Sequence, residues 1–440
     1  MVLKRVRIDG ARTTVGFPAE RNKPNLCCVV PAERNTMSTP LKVMLAAGAL
    51  VLAACGGGTT PGEPTTSEQH TTTSGGNEVS DQPAVGELPE GPSALDSMFA
   101  EEFPEPLIDP GQVLSGGPPP DGIPSIDDPA FLDVSDNLEL LPGNEPVVAL
   151  EINGDARAYP IRAMVWHEIV NDTVGGVPVS VTYCPLCNSA ATYDRRVNGV
   201  ETTFGTSGRL FGSALVMYDR ATETLWTHYN GQAVIGVLTG AELEEFPSPL
   251  MAWDQFRATY PTGKVLDWTQ TGFIRDYGRN PYTGYDDPDN TPFLFRGALD
   301  DRASAMQRIV GIEHEGSAAA IALEVVSGGS GQATAVTVGG ANLVIFWVSG
   351  QSSALDTGEI AGGKDVGSVA VFVPTIAGRD LTIIHEDGRF VDVETGSVWL
   401  LNGEAVEGAL AGERLTQIAH LDTFWFAWST YQPDTSLQSG

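Results

Sequence analysis

Two cysteines separated by two residues are the strongest candidates for chemistry in this sequence. Cys184 and Cys187 stand in the run Tyr-Cys-Pro-Leu-Cys-Asn at residues 183–188. A pair with this spacing can bind a metal ion, form a reversible disulfide or present one nucleophilic thiolate. No feature of the sequence identifies a substrate. We therefore expect the functional site at this pair and keep the three chemistries open.

Metal binding is the first hypothesis for the pair. Two thiolates on a turn that is tightened by Pro185 are typical of a metal knuckle. Further ligands are then needed, and His167 is the first candidate, followed by His228. Zinc and copper both accept thiolate and imidazole ligands. The predicted ligand set is therefore Cys184, Cys187, His167 and His228, with zinc or copper as the ion.

Thiol chemistry is the alternative hypothesis. An extracytoplasmic thiol–disulfide oxidoreductase or another thiol-dependent enzyme would use Cys184 and Cys187 as its catalytic pair, with His167 as base. In thioredoxin-like sites the first cysteine begins a helix, whereas the residues after Cys187 favour a turn and a strand. A third interpretation is a structural surface protein with an inert disulfide or buried thiols, although closing so short a loop adds little stability.

A polar and aromatic segment at residues 275–287 offers a second binding surface. Arg275 and Arg279 carry forked donors that suit a carboxylate or a phosphate of a bound cofactor or ligand. Asp276 could orient a ligand histidine, and Glu168, beside His167, could do the same. The other interpretation of this segment is an ion-paired connector between two halves of the chain.

Strands must position the cysteine pair. Residues 178–183 are rich in β-branched side chains and alternate apolar with polar residues, which predicts a strand that ends at Cys184. Asn198-Gly199 and Asp387-Gly388 are typical hairpin turns. The aromatic cluster at residues 424–428 is interpreted as the core-facing side of a helix. We predict a mainly β (α+β) fold.

An internal repeat organises the prediction. The matching segments keep their spacing and their turn residues: residues 151–158 with 313–320, Asp219 and Trp226 with Asp392 and Trp399, and residues 230–240 with 402–412. We predict two diverged β-rich units, a first half at residues 89–300 and a second half at residues 301–440, each closed by a short helix. Only the first half contains cysteines, so the site is assigned to it.

The N-terminal segments predict export and lipid anchoring. Residues 37–54 are predicted to be a lipoprotein signal peptide, because they end in Leu-Ala-Ala before Cys55 and their apolar run is too short to span a bilayer. Cys55 would then carry the lipid, and residues 55–88 would form a flexible tether. Residues 1–36 precede Met37, which is a better translation start, and they are interpreted as a mis-annotated extension of the gene. We expect a lipid-anchored protein on the extracytoplasmic face of the cell membrane.

The charge balance excludes nucleic acid as a partner. The chain has 25 Lys and Arg against 56 Asp and Glu, a formal net charge of −31. Such a surface repels phosphate backbones and anionic headgroups. The acidic residues are spread along the chain, which is typical of a well-hydrated surface. The lipid at Cys55 is therefore the expected membrane contact, and the small ligand or metal donor is unidentified.

Three motifs resemble a widespread family of exported bacterial and archaeal proteins. They are Trp-His-Glu-Ile-Val-Asn-Asp at residues 166–172, the cysteine run at 183–188, and Arg-Asp-Tyr-Gly-Arg-Asn-Pro-Tyr at 275–282. The resemblance covers residues 116–437. The family is classed as a domain of unknown function, so the resemblance implies membership and location but no activity.

Overall fold

Strands are the main regular elements of the structure and helices are few, as the sequence predicts. The computed structural model describes residues 86–439. The predicted gene-start extension at 1–36, the signal peptide at 37–54, Cys55 and nearly all of the tether at 55–88 lie outside these described residues. No helix within residues 86–439 has the length and apolar character needed to cross a bilayer.

The strands of the first half are short. In chain order they are β1 (Leu114–Ser115), β2 (Phe131–Asp133), β3 (Pro146–Ile152), β4 (Asp155–Pro160), β5 (Ile169–Val174), β6 (Val177–Cys184), β7 (Ser189–Asp194), β8 (Arg196–Val197), β9 (Val200–Glu201), β10 (Phe204–Phe211), β11 (Ala214–Asp219), β12 (Leu225–Thr227), β13 (Ala233–Ile235), β14 (Glu245–Phe246), β15 (Leu250–Ala252) and β16 (Lys264–Leu266).

The second half also consists mainly of short strands. Its strands are β17 (Arg308–His314), β18 (Ser317–Ala322), β19 (Gly331–Val338), β20 (Ala341–Val348), β21 (Ser368–Val373), β22 (Thr375–Ile376), β23 (Arg379–Asp380), β24 (Ile383–Glu386), β25 (Arg389–Asp392), β26 (Val398–Trp399), β27 (Ala405–Glu407), β28 (Thr416–Ile418), β29 (His420–Phe424) and β30 (Ser436–Gln438). The α-helices of the described chain are α1 (Ile161–His167), α2 (Trp253–Thr259), α3 (Leu323–Val326) and α4 (Trp425–Tyr431). Single 3₁₀ turns lie at Pro110–Gln112, Val134–Asp136, Trp268–Gln270 and Ile360–Gly362.

The cysteine pair belongs to a sheet with the strand order β14-β7-β6-β5. Strands β6 and β7 form an antiparallel hairpin in which Cys184 faces Ser189 and Thr182 faces Ala191. Side chains that face each other across a ladder point to the same side of the sheet. Thr182, Cys184 and Ser189 therefore share one face, and this face carries the candidate site.

Three sheets of the first half share the order of four strands with sheets of the second half, and β1 and β2 each add a fifth strand at the edge of a first-half sheet. The orders β15-β3-β4-β16 and β29-β17-β18-β30 each centre on a hairpin, and the last strand of each pairs in parallel with its neighbour. The orders β10-β11-β12-β13 and β24-β25-β26-β27 are also alike, as are β5-β6-β7-β14 and β19-β20-β21-β28.

One apolar core extends through both halves. Its buried members include Val147 and Trp253 from the first half and Phe372 and Trp428 from the second. Within α4, Trp425, Phe426 and Trp428 are buried, so the aromatic cluster packs into the core as predicted. Burying side chains of this size supplies much of the driving force for folding. The hairpin site is therefore built on a core to which both halves contribute.

Candidate functional site

The cysteines lie where the strand β6 ends and β7 begins. Cys184 is the last residue of β6, and Asn188 ends the connecting turn in the left-handed region with φ 52°. Asparagine tolerates this conformation better than most residues. Both thiols are free, and the exposed fractions of Cys184 and Cys187 are 1% and 0%. The structure thus places a reduced, buried dithiol at a tight hairpin turn.

The two thiols have different proton affinities. Burial alone would raise the pKa of Cys184, but hydrogen bonds from the Cys187 thiol and from the backbone N–H groups of Leu215, Cys187 and Leu186 outweigh it and lower that pKa. Burial, followed by the neighbouring Cys184, raises the pKa of Cys187 well above its ordinary value. The pair therefore favours a thiolate at Cys184 and a thiol at Cys187.

A chain of buried polar groups leads away from Cys187. Its sulfur lies 3.0 Å from Ser189 Oγ, which lies 2.7 Å from His228 Nε2. His228 Nδ1 lies 2.7 Å from Thr182 Oγ1, whose hydroxyl donates to the Ala191 carbonyl at 2.8 Å. We call Cys187, Ser189, His228 and Thr182 the thiol relay.

The hydrogen-bond directions in the relay follow from its last member. The single hydroxyl proton of Thr182 goes to the Ala191 carbonyl, so His228 Nδ1 must be the donor to Thr182. Burial lowers the pKa of His228 to about 3, so the ring is neutral and Nε2 is an acceptor. Ser189 therefore donates to His228 and can accept the proton of Cys187. The assignment rests on the hydrogen-bond network.

His167, the first predicted ligand, has other partners. Its Nδ1 lies 2.8 Å from the Pro124 carbonyl and must donate to it, so Nε2 accepts the hydroxyl proton of Tyr277, also at 2.8 Å. The ring stacks on Tyr277 and packs near Phe273. Burial lowers its pKa. Both ring nitrogens are thus bonded to groups other than the cysteines.

Glu168 is the acidic neighbour of the thiolate. It follows α1 with φ 59°, and the hydrogen bond from Tyr183 N–H to its carbonyl brings it beside the end of β6. Burial, and then the charge of Cys184, raise the pKa of Glu168 well above its ordinary value. Burial and the neighbouring thiolate therefore both favour the protonated form of this carboxyl.

The predicted cofactor residues Arg275, Asp276 and Arg279 lie on the surface. Asp276 is 3.9 Å from Arg279, and the side chains of these two residues are 77% and 55% exposed. Arg279 also pairs with Glu359 of the second half, while Arg275 contacts Phe273 and Ile274. Tyr277, rather than Asp276, orients the predicted ligand histidine His167. The segment makes the contacts expected of an ion-paired connector.

Few potential metal ligands surround the thiols. In residues 86–439, no group of three or more His, Cys, Asp and Glu side chains is arranged to hold a metal ion. His228 approaches the cysteines through Ser189, and both of its ring nitrogens are hydrogen-bonded. A structural zinc site needs four ligands, whereas soft copper(I) is satisfied by fewer thiolates. The arrangement brings Cys184, Cys187 and His228 together and leaves His167 apart.

Sequence reasoning missed Ser189 and Thr182, the residues that connect His228 to the thiols. A signal for them exists, because Thr182 precedes Cys184 by one strand period and Ser189 faces Cys184 across the hairpin. Tyr277 was visible only as part of a polar segment. Its contact with His167 spans 110 positions of the chain, and no local pattern predicts such a contact.

A family-model comparison matches residues 120–435 to the family described as "Protein of unknown function (DUF3179)". Comparison with curated proteins gave no match, and neither did comparison with solved structures. The matched residues include the cysteine hairpin, the relay and the second half up to α4. The chain therefore belongs to the DUF3179 family of proteins of unknown function.

Proposed function

We propose that this protein is a dithiol redox protein in which Cys184 is the nucleophilic thiolate and Cys187 is its resolving partner. The observation that carries the proposal is that the single proton of Cys187 lies within reach of Cys184 Sγ, of the Cys184 carbonyl at 3.8 Å and of Ser189 Oγ at 3.0 Å. The first acceptor stabilises the thiolate before it reacts. Ser189 Oγ keeps its contact with the Cys187 sulfur after Cys184 has reacted.

The reaction that suits this arrangement is thiol–disulfide exchange. The Cys184 thiolate attacks one sulfur of a disulfide, the S–S bond breaks, and a mixed disulfide forms as the first thiolate leaves. Cys187 then attacks the Cys184 sulfur, and its proton goes to the departing substrate sulfur. The second substrate sulfur leaves as a thiol and the Cys184–Cys187 disulfide closes. Two electrons pass from the protein dithiol to the substrate disulfide.

Burial of the thiols limits the substrate. Cys184 and Cys187 are 1% and 0% exposed, and their neighbours Leu186 and Tyr285 are only 8% exposed. A macromolecular disulfide would have to displace these residues, whereas a small-molecule disulfide needs a smaller opening. We therefore assign a small disulfide as the substrate class.

Redox titration tests the proposal. The protein is equilibrated in mixtures of reduced and oxidised dithiothreitol, and the thiols of Cys184 and Cys187 are counted by alkylation and mass spectrometry. We expect a single two-electron transition in the native protein, and none in Cys184→Ser or Cys187→Ser. Two thiols in every mixture, or no thiols in any mixture, would instead support the structural surface protein with inert sulfurs.

Binding of zinc or copper is the second candidate. The observation that favours it is a pair of free, buried sulfurs, one of which is stabilised as a thiolate, the form that binds soft ions. His228 or His167 could join only after losing a present hydrogen bond. Elemental analysis of the native protein beside the double Cys184→Ser, Cys187→Ser variant separates the cases. About one ion per chain that disappears in the variant supports a metal site, and no ion in either protein contradicts it.

We also propose export and a lipid anchor at Cys55, supported by the apolar run that ends in Leu-Ala-Ala-Cys. Labelled palmitate should enter the native protein expressed in a bacterial host, and the protein should sediment with membranes. A Cys55→Ala variant should lose both properties. Label that persists in the variant would contradict the assignment.

We infer that the two halves are diverged copies of one β-rich unit, each closed by a short helix, α2 or α4. The matching sheet orders support this inference. A second support is that Trp226 Nε1 donates to Asp219 at 3.0 Å and Trp399 Nε1 donates to Asp392 at 3.1 Å. Relatives with less diverged halves should align in the same register, and an alignment in another register would contradict it.

A further inference from the structure

We propose that a segment of the second half, Asp422, Thr423 and Phe424 of β29, is a positioning element that sets the reactivity of the dithiol. We call these three residues the clamp. The inference rests on the proposed function of Cys184 and Cys187 and adds residues from the half of the chain that has no cysteine.

The clamp contacts the last two residues of the turn, Cys187 and Asn188. Thr423 Oγ1 donates to the Cys187 carbonyl at 2.8 Å, and the Phe424 N–H donates to the same oxygen at 3.3 Å. The Asn188 side chain donates to the Asp422 carbonyl at 3.1 Å. These contacts join positions more than 230 residues apart and are all buried.

The position of this carbonyl matters for the thiolate. The Cys187 carbonyl lies in the peptide plane that leads to Asn188, whose φ of 52° completes the turn. Holding this plane restricts the orientation of Cys187, whose thiol donates to the Cys184 carbonyl at 3.8 Å and, with the Cys187 N–H, lies beside Cys184 Sγ. The clamp thus acts on Cys184 indirectly, by fixing the donors that stabilise its charge.

The clamp is itself braced by buried polar groups. Arg308 Nη2 lies 2.9 Å from the Asp422 carboxylate and Arg308 Nη1 lies 3.7 Å from Asp286, and all three side chains are nearly inaccessible. Tyr229, the neighbour of His228, donates to Thr423 Oγ1 at 3.3 Å. Since a buried charge is costly unless it is paired, this network favours one arrangement of the clamp.

The first half offers a comparison that separates the clamp from ordinary packing. Strands β15 and β29 each precede a helix and pair with the first strand of a hairpin, β3 or β17. At the position of Thr423, β15 has Met251, which has no hydroxyl to donate. The Phe424 N–H, by contrast, has a counterpart in the Ala252 N–H, which donates to Ser368 Oγ at 3.0 Å. The hydroxyl donor is therefore found in the strand that faces the cysteines and not in its counterpart.

A pair of threonine variants tests the clamp. Thr423→Val removes the hydroxyl donor at nearly constant volume, and Thr423→Ser keeps it. The control is Thr206→Val, because Thr206 is equally buried and donates to the Ile123 carbonyl at 2.7 Å, away from the thiols. All proteins are compared by the equilibrium constant with dithiothreitol and by the rate at which iodoacetamide alkylates Cys184.

We expect Thr423→Val to change both quantities by about fivefold, the effect of one net hydrogen bond. Thr423→Ser should restore them, and Thr206→Val should lose stability without changing either. If Thr423→Val matches Thr206→Val in both measurements, the clamp has no positioning role. If the native protein shows no equilibrium with dithiothreitol, the proposed redox function fails, while the alkylation rates still decide whether the clamp positions the thiolate.

Discussion

The side chains of the site are buried away from water, and this burial shifts their pKa values. His228 is fully buried and keeps an unoccupied lone pair for the Ser189 proton because burial lowers its pKa to about 3. Cys184 is buried to a similar degree, yet its pKa is lowered because donors surround the sulfur. Burial and donor placement therefore act in opposite directions on a thiol, and the local geometry determines which one prevails.

The relay predicts a kinetic defect in Ser189→Ala. Without the hydroxyl, Cys187 loses its 3.0 Å hydrogen bond to Ser189, so the mixed disulfide on Cys184 should persist longer and the final ring closure should slow by about fivefold, the effect of one hydrogen bond. Acid quenching and mass spectrometry measure the intermediate. The matched control is Ser180→Ala, because Ser180 is buried on the same strand face and its hydroxyl has no hydrogen-bond partner in the described chain. Equal rates in the two variants would exclude the relay.

His228 also predicts a pH dependence of stability. The unfolded residue titrates near its ordinary pKa of 6.5, whereas in the folded protein the pKa is about 3. Between these values the unfolded chain binds a proton that the folded chain does not, so this stability is complete above pH 6.5 and is lost progressively toward pH 3. The slope is about 1.4 kcal/mol per pH unit. Urea unfolding of His228→Gln should show a slope smaller by about that amount, and an unchanged slope would contradict the assignment.

At the scale of elements, local sequence patterns predict the strands and turns whose formation depends on residues adjacent in the chain. The strand into Cys184 and the turns at Asn198-Gly199 and Asp387-Gly388 occur where predicted, because positive φ in both turn residues suits Asn, Asp and Gly. The partners of the site were harder to identify. Thr423 contacts the Cys187 carbonyl across 236 positions, and only the folded core brings them together. No propensity of either segment encodes that contact.

The tryptophan–aspartate pair of the second half predicts a large stability effect. Asp392 is fully buried and accepts hydrogen bonds from Thr395, Ser397 and Trp399. Asp392→Ala leaves these donors without an acceptor, and each orphaned group costs about 1–3 kcal/mol. We expect a loss of about 3 kcal/mol or more in chemical denaturation. Asp380→Ala, at an exposed position in the same half, is the control, and a loss of similar size in both would refute the explanation.

At the scale of the whole molecule, the two halves share one core and one buried ion network. Arg308 pairs with Asp286 of the connecting segment and with Asp422 of β29. The large apolar cluster likewise contains residues of both halves. Residues that resemble a repeat in sequence therefore need not form two independent folding units.

This sharing predicts one cooperative unfolding transition. Tryptophan fluorescence, which reports on Trp226 and Trp399 in different halves, should change at the same urea concentration at which Cys184 and Cys187 become open to alkylation. Arg308→Met should lower that midpoint without splitting the transition, since it leaves Asp422 buried without its ion partner, at a cost of about 3–5 kcal/mol, while Asp286 keeps Lys364 at 3.2 Å. Cysteines that become reactive well before the fluorescence changes would show that the halves unfold separately.

The outermost strands of the fold have a practical consequence for recombinant work. Strand β1 pairs with β10 and strand β30 pairs with β18, yet both lie outside residues 120–435, the limits of the family match. Ala94 and Val113, also upstream of that match, are buried against β11 and β13. A fragment trimmed to the family limits would leave two sheet edges unpaired, and such edges promote intermolecular strand pairing. Expression of residues 86–439 keeps both edges covered.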